Sequence, residues 1–473
     1  MLDTLRADYL RMYGGELYLN NIEKIAKNGT IYKNAIAPGT YTTTSHASMF
    51  LGKRVKSIKN LMKNKFVYHD EHTDPLLNKT QYVPGGSTTL ARRMSYLGYK
   101  TALFSNNPLV TTYTGLAEGF SHIAYTDNVF IEPSSRNRDK LHVKAVLSIV
   151  GNDLLRNRLI DLSYLVTRPI PGRKLDQIYV NLRTKLNKRF SEESRYYEID
   201  LGAKQTNALV ESYLRKENGA EKFMYINYME AHEGYPTNLF TSEYIEQDKW
   251  LYLTKIIDGS SIPIIRKACE KRLEYLDKRI GDLFNMLKRN GTLDNAVVVI
   301  ASDHGQAFME HNQMYHNMFP YNELVHVPLI TARYINGRQT DTKAQVDNCV
   351  SLTALHDALL QVAYGKTDVV NGSLRRDNYV FSDHNGINEV WDTHLLELYR
   401  KRSSYINAIY NAKVHYNTFA TAVYHGRYKL IHYAGNRMRD ELYDISADSG
   451  ETDNIIDSKK AVARELLNAE KAS

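Results

Sequence analysis

The stretch AVVVIASDHG, Ala296 to Gly305, puts six apolar residues ahead of a polar loop closed by glycine. A short, β-branched apolar run of this kind is the pattern of a strand covered on both faces, as in a parallel sheet between helices. The preceding segment, about 264–289, has helical periodicity and stops at Asn290-Gly291, a helix-ending pair. Further upstream a helix near 201–216 leads into the apolar strand FMYINYM at 223–229. A helix at 88–97 leads into a strand at 99–104, and 21–36 reads as helix, Asn28-Gly29 turn and strand. Strands alternating with helices predict an α/β fold, a large mostly parallel sheet flanked by helices.

The pattern changes after a helix expected at 350–363. YVFSDH (379–384), TFATAVYHG (418–426), YKLIHY (428–433) and ELYDI (441–445) read as strands joined partly by short turns, and a helix closes the chain. The expected division is an α/β catalytic domain at 1–369 and a small antiparallel α+β domain at 370–473. Residues 130–200 look like an insertion. Between Arg136 and Arg195 stand fourteen Lys or Arg against six Asp or Glu, an excess equal to the +8 of all 473 residues. Such a segment suits a solvated cap, or a docking surface for an anionic polymer or membrane. No DNA-binding motif accompanies it, so nucleic acid is disfavoured. Two cysteines, Cys269 and Cys349, cannot form a disulfide framework. With no signal core and no apolar run of membrane-spanning length, the expectation is a cytoplasmic or membrane-surface protein.

Ligands of open α/β sheets bind beyond the carboxyl ends of the strands, which is where Asp303 and His304 fall. A carboxylate and an imidazole there can share a divalent cation. APGTYTTTSHASMFLG (37–52) is hydroxyl-rich, follows a strand and enters a helix expected at Ser45–Leu51. A hydroxyl at such a turn can meet an anionic substrate, but it needs a metal or base to become a nucleophile. Read alone, each motif is also explained by helix capping or a surface loop.

Together and in order, several segments resemble the sulfatase-like branch of the alkaline phosphatase superfamily. They are DTLRADYL (3–10), NIEKIAKNGTIYKNAIAPG (21–39), TTTSHASMFLG (42–52), YINYMEAHEGY (225–235), LEYLDKRIGDLFNMLKRNG with AVVVIASDHG, HNMFPYNELVHVPLI (316–330), and GRYKLIHY with ELYDISADSGETDN. The resemblance implies metal ligands at Asp3, Asp303 and His304, with Thr42 as nucleophile and further metal contact. It implies one divalent ion (Zn, Mn, Ca or Mg) and leaves a second open. His232, matching the family's HTPY histidine, is expected to bind substrate or protonate the leaving group. Glu230, His46, His316 and His311 are candidate substrate contacts. Lys429 is expected to serve packing and solvation.

Three departures shape the expected activity. Sulfatases proper convert a Cys or Ser at the nucleophile position to an aldehyde; threonine, a secondary alcohol, cannot give it. Asn106 and Asn107 stand where sulfatases carry a lysine motif, and Asp3-Thr4 replaces a pair of aspartates. These favour phosphate-ester cleavage or transfer through Thr42, on an anionic substrate such as a glycan or lipid head-group ester. Two alternatives stay open: a sulfuric ester hydrolase working without the aldehyde, and a non-catalytic member that binds an anionic glycan or lipid. Only Met1 and Leu2 precede Asp3, whereas a six-residue central strand spans about 20 Å. The expectation is a truncated start or a substitute element, a weakened sheet centre and a loosely held Asp3.

Overall fold

The computed structural model describes residues 1–55, 83, 85–112, 114–126, 200–217, 219–233, 253, 262–340, 344–366, 374, 378–386, 411–412, 414–436 and 438–473. The basic segment lies outside them, apart from Asp200, and so does the expected domain boundary at 369–370. The principal elements are α1 (Asn20–Lys27), β1 (Thr30–Ile36), α2 (Thr42–Leu51), α3 (Leu90–Tyr96), β2 (Lys100–Ser105), β3 (His122–Tyr125), α4 (Ala203–Lys216), β4 (Lys222–Asn227), α5 (Ile262–Arg289), β5 (Asn295–Ala301), α6 (Asn322–Val325), β6 (Leu329–Ile335), β7 (Ala344–Ser351), α7 (Ala354–Ala363), β8 (Val380–His384), β9 (Ala420–His425), β10 (Tyr428–Tyr433), β11 (Glu441–Asp444) and α8 (Lys460–Ala472).

Strands β3, β2 and β4 run parallel, and β1 runs parallel to β7. Between β5 and β1 lies β6, antiparallel to both. Successive side chains of a strand point to opposite faces. Phe104 and Ile300 accordingly pack against α1, α4 and α5, while their neighbours Leu103 and Ala301 pack against α2, α3 and α7. Helix α5 shows why its sequence is helical. Ile265, Cys269, Leu273, Leu276, Ile280, Leu283 and Leu287 recur every three or four residues and are all buried. Each fully buried aliphatic side chain contributes roughly 1.5–3 kcal/mol. The helix ends where Gly291, at φ 69°, lets Thr292 N–H donate to the Leu287 carbonyl.

Residues 1–3 lie between β4 and β5. Leu2 N–H donates to the Ala301 carbonyl, Asp3 N–H to Tyr228 and Tyr228 N–H to Met1. Residues 1–3 thus link β4 to β5. Asp3 is fully buried and is not loosely held, because strand-type hydrogen bonds reach it from the β4 side. Helix α2 also differs from expectation: it starts at Thr42, one turn earlier than Ser45.

Strands β8 to β11 form a separate antiparallel sheet in sequence order. Leu466 of α8 is buried against Val423, Leu430 and Leu442. This sheet is tied to the loop between β1 and α2. Gly39 pairs with Asp383, and Arg54 donates through Nε and Nη2 to the two Asp383 carboxylate oxygens, at 2.7 and 2.6 Å. Residues 1–129 and 197–473 form one compact unit. Both cysteines are free, and among the described residues no helix is long and apolar enough to cross a membrane.

Candidate active site

Four segments converge beyond the carboxyl ends of the sheet: residues 3–5, the start of α2, the loop after β2 and the loop after β5. Ser302 ties two of them together, accepting from Leu5 N–H at 2.9 Å and donating to the His304 carbonyl at 2.7 Å. Gly305 completes the turn under a close approach. A Cβ there would lie 2.1 Å from the Glu323 carbonyl oxygen, so the glycine closing AVVVIASDHG is a packing requirement.

His304 Nδ1 lies 3.0 Å from the Gly305 carbonyl, an acceptor, so Nδ1 carries the proton and Nε2 presents a lone pair. Around Nε2 stand Thr42 Oγ1 at 3.2 Å, Asp303 Oδ2 at 3.5 Å and Asp3 Oδ1 at 3.9 Å. Asp3, Asp303 and His304 are fully buried and Thr42 nearly so. Among the described residues Asp3 Oδ1 and Asp303 Oδ2 have no hydrogen-bond partner. Burial, with the facing Asp303 charge, pushes the Asp3 carboxyl up to about 6; burial also takes Asp303 to about 6. Burial moves His304 down, toward the neutral form. Asp3, Asp303 and His304 bring their donor atoms within 4.8 Å of one another, a group that could hold a divalent cation, with the Thr42 hydroxyl beside it.

The supporting residues are equally specific. Asn107 Nδ2 donates to Asp3 Oδ2 at 2.5 Å, and its own Oδ1 accepts from Leu109 N–H. The sequence marks Asn107 only as a departure from the family, and its service to Asp3 was not foreseen. Groups that orient a metal ligand are worth about 10–100-fold in metal affinity. Asn107→Ala is therefore expected to weaken cation binding by about that factor, read by competition with a metallochromic chelator. Ser45 Oγ donates to the Asp303 carbonyl at 2.6 Å. His46 is fully buried, with Nδ1 2.8 Å from the Thr42 carbonyl and 3.4 Å from Asp303 Oδ2. Burial takes its imidazole down to about 3. It braces Thr42 and Asp303 from inside α2.

A second cluster adjoins the first. His316 stacks on His304 with ring centroids 4.8 Å apart, and His232 meets His316 edge-on at 4.9 Å. Glu233 joins these two, at 3.1 Å from His316 Nδ1 and 3.3 Å from His232 Nδ1. Glu233 was not singled out in the sequence, although a His-Glu pair beyond a strand end mirrors Asp303-His304. Burial opposes ionisation of Glu233, yet His232 and His316 hold its carboxyl well below the usual range.

Glu230 and His311 do not join either cluster. Glu230 Oε1 accepts from Ala203 N–H at 2.8 Å at the start of α4, where a carboxylate suits the helix end. His311 lies between Glu323 Oε1, at 2.8 Å, and the Glu451 carbonyl, at 3.1 Å, with its ring stacked on Tyr321 at 3.9 Å. Both are structural contacts.

Residues 1–365 match the family described as Sulfatase. The chain belongs to the Sulfatase family. It is 23% identical over 96% of its length to the N-acetylglucosamine-6-O-sulfatase of Bacteroides thetaiotaomicron, 81% of which is covered. Two solved structures superpose over the whole chain and 93% of their own. They are phosphonate monoester hydrolases of Silicibacter pomeroyi (TM-score 0.60, 14% identity) and Agrobacterium radiobacter (TM-score 0.59, 17% identity). The fold is therefore the sulfatase and alkaline-phosphatase-like α/β fold with its C-terminal antiparallel sheet. This Sulfatase-family chain is an ester hydrolase by family, and its Asp3–Asp303–His304 centre lies in the matched span.

Proposed function

We propose that the chain cleaves or transfers a phosphoric ester through Thr42, with a divalent cation held by Asp3, Asp303, His304 and the Thr42 hydroxyl. One observation carries the reading. Thr42 Oγ1 lies at the N-terminus of α2, 3.2 Å from His304 Nε2, beside two carboxylate oxygens with no hydrogen-bond partner among the described residues. The ten-residue helix turns its positive end toward an arriving anion. A cation bound here supplies Lewis-acid polarisation and favours the ionised hydroxyl.

As the Thr42 oxygen bonds to phosphorus, its proton is lost to solvent and the bond from phosphorus to the leaving alcohol breaks. His232 gives the departing oxygen a proton. Water or an acceptor alcohol then attacks the phospho-threonine, and the Thr42 oxygen leaves and regains a proton. The substrate class that fits is an anionic ester, on a glycan or lipid head group. The named function of the Bacteroides relative keeps a sulfuric ester as the second reading. Threonine chemistry argues against it, because the aldehyde route is closed.

The test is a side-by-side panel of p-nitrophenyl phosphate monoester, phosphate diester and sulfate, on protein of measured metal content. Turnover of either phosphate ester above sulfate is expected. Faster sulfate turnover would overturn the ester assignment and leave the metal centre standing.

A further inference from the structure

We propose that His384 and Thr40 are positioning residues: through their hydrogen bond the C-terminal antiparallel sheet sets where the Thr42 hydroxyl stands. The inference rests on the reading of Thr42 as the attacking residue.

Helix α2 needs such support. Among the described residues its N-cap, Tyr41, supplies no side-chain capping bond, so the turn that carries Thr42 is not fixed by its own cap. The loop ahead of it is held instead by two other segments. Strand β8 pairs with it at Gly39 and Asp383. Thr40 N–H donates to the Asp383 carbonyl at 3.3 Å, and Asp383 N–H donates to the Pro38 carbonyl at 3.1 Å. The Thr40 carbonyl in turn accepts from Asn317 N–H at 2.9 Å, which ties the loop to the residue after His316. Gly39 permits the close fold of this loop on α2, since a Cβ there would lie 2.8 Å from Thr44 Cγ2.

The side chains complete the clasp. His384 Nε2 is 2.7 Å from the Tyr416 carbonyl, an acceptor, so Nε2 carries the ring proton and Nδ1 keeps a lone pair. Thr40 Oγ1, 3.2 Å from Nδ1, therefore donates to it. Both side chains are buried, and Phe319 meets the His384 ring edge-on at 5.6 Å. His384 ends β8 and pairs with Ala420 of β9, so the ring is anchored to the sheet. Breaking the pair would strand a buried hydroxyl and a buried ring nitrogen, which favours a single geometry for the loop. Thr40 stands two residues before Thr42, so a shift of the loop passes directly to the attacking oxygen. Misplacement by about 1 Å can cost roughly 10²-fold in rate.

The experiment measures kcat and KM separately for the p-nitrophenyl ester that the parent chain turns over fastest, in metal-loaded protein well below its unfolding temperature. Thr40→Val keeps the side-chain shape and removes the donor. Its kcat is expected to fall by roughly 10-fold or more, with KM close to the parent's. Thr40→Ser, which keeps the hydroxyl, is expected to restore most of the rate. His384→Phe should slow turnover similarly. The double variant Thr40→Val with His384→Phe should be no slower than the slower single one, because both remove the same interaction. Crystal structures are expected to show Thr42 Oγ1 displaced in Thr40→Val from its 3.2 Å contact with His304 Nε2, a readout that needs no turnover. An unmoved Thr42 with unchanged kcat in Thr40→Val would overturn the proposal. So would a loss that Thr40→Ser does not restore, or losses that multiply in the double variant. If His384→Phe fails to fold, the two Thr40 variants decide the matter. Thr42→Ala, run alongside, separates the two readings. A parent-like rate there refutes the nucleophile, whereas a lost rate there with unchanged kcat in Thr40→Val refutes only the clasp.

Discussion

Thr42→Ala is expected to lower kcat/KM for the best phosphate ester by roughly 10³-fold or more, since it deletes the attacking atom. Thr42→Ser, which keeps an oxygen at the helix start, is expected to retain a measurable part of the rate. The fold should survive both changes. The α2 backbone does not depend on the Thr42 hydroxyl, whose hydrogen-bond contact among the described residues is His304 Nε2, and the lost methyl costs about 1 kcal/mol. Rapid quenching of the parent enzyme with substrate should yield a peptide phosphorylated at Thr42. Turnover by Thr42→Ala equal to that of the parent, at equal metal content, would remove Thr42 from the chemistry. The reading would then move to direct attack by water.

That Asp303, His304 and Thr42 come together was legible in the sequence for a physical reason. Asp303, His304 and Thr42 each sit at a junction between a regular element and a loop. Hydrophobic periodicity reveals such junctions, and the fold places them at one end of the sheet. Less visible were contacts made across the chain. Asn107 reaches Asp3 from 104 residues away, and Glu233 reaches His316 across 83 residues. No local pattern encodes either pairing. Glu230 and His311 mislead for the converse reason. Their residue types suit an active site, but a helix end and an acidic partner hold them elsewhere.

The sheet was read with a similar limit. Strand β7 has no apolar run, because as an edge partner of β1 it exposes much of its length, so only the helix behind it was foreseen. The antiparallel course of β6 is set by its seven-residue register with β5, a pairing that periodicity alone does not reveal. Residues 1–3 were expected to hold Asp3 loosely. They suffice to hold Asp3 because Leu2, Asp3 and Tyr228 form hydrogen bonds to both flanking elements.

The second large effect is expected on stability, far from the reacting atoms. Lys429, expected to serve packing and solvation, is fully buried, with Nζ 2.5 Å from Glu451 Oε1 and 3.2 Å from Asn322 Oδ1. Removing one member of a buried ion pair leaves the other charge unpaired, which costs about 3–5 kcal/mol. Lys429→Ala is therefore expected to lower the urea midpoint of unfolding by a corresponding amount. The double change Lys429→Met with Glu451→Leu should recover most of it, because neither charge is then stranded. The damage should also reach the active site. Glu451 Oε2 accepts from Asn322 N–H at 2.6 Å at the start of α6, and the Leu324 carbonyl of that helix accepts from Gly305 N–H at 2.7 Å. Gly305 in turn holds His304 Nδ1 and thereby fixes the direction of Nε2. Lys429→Ala should thus weaken cation binding even at temperatures where the chain stays folded. An unchanged urea midpoint would show that the buried pair is not what secures the C-terminal sheet. A lowered midpoint with unchanged metal affinity would break the link from Glu451 through α6 to His304.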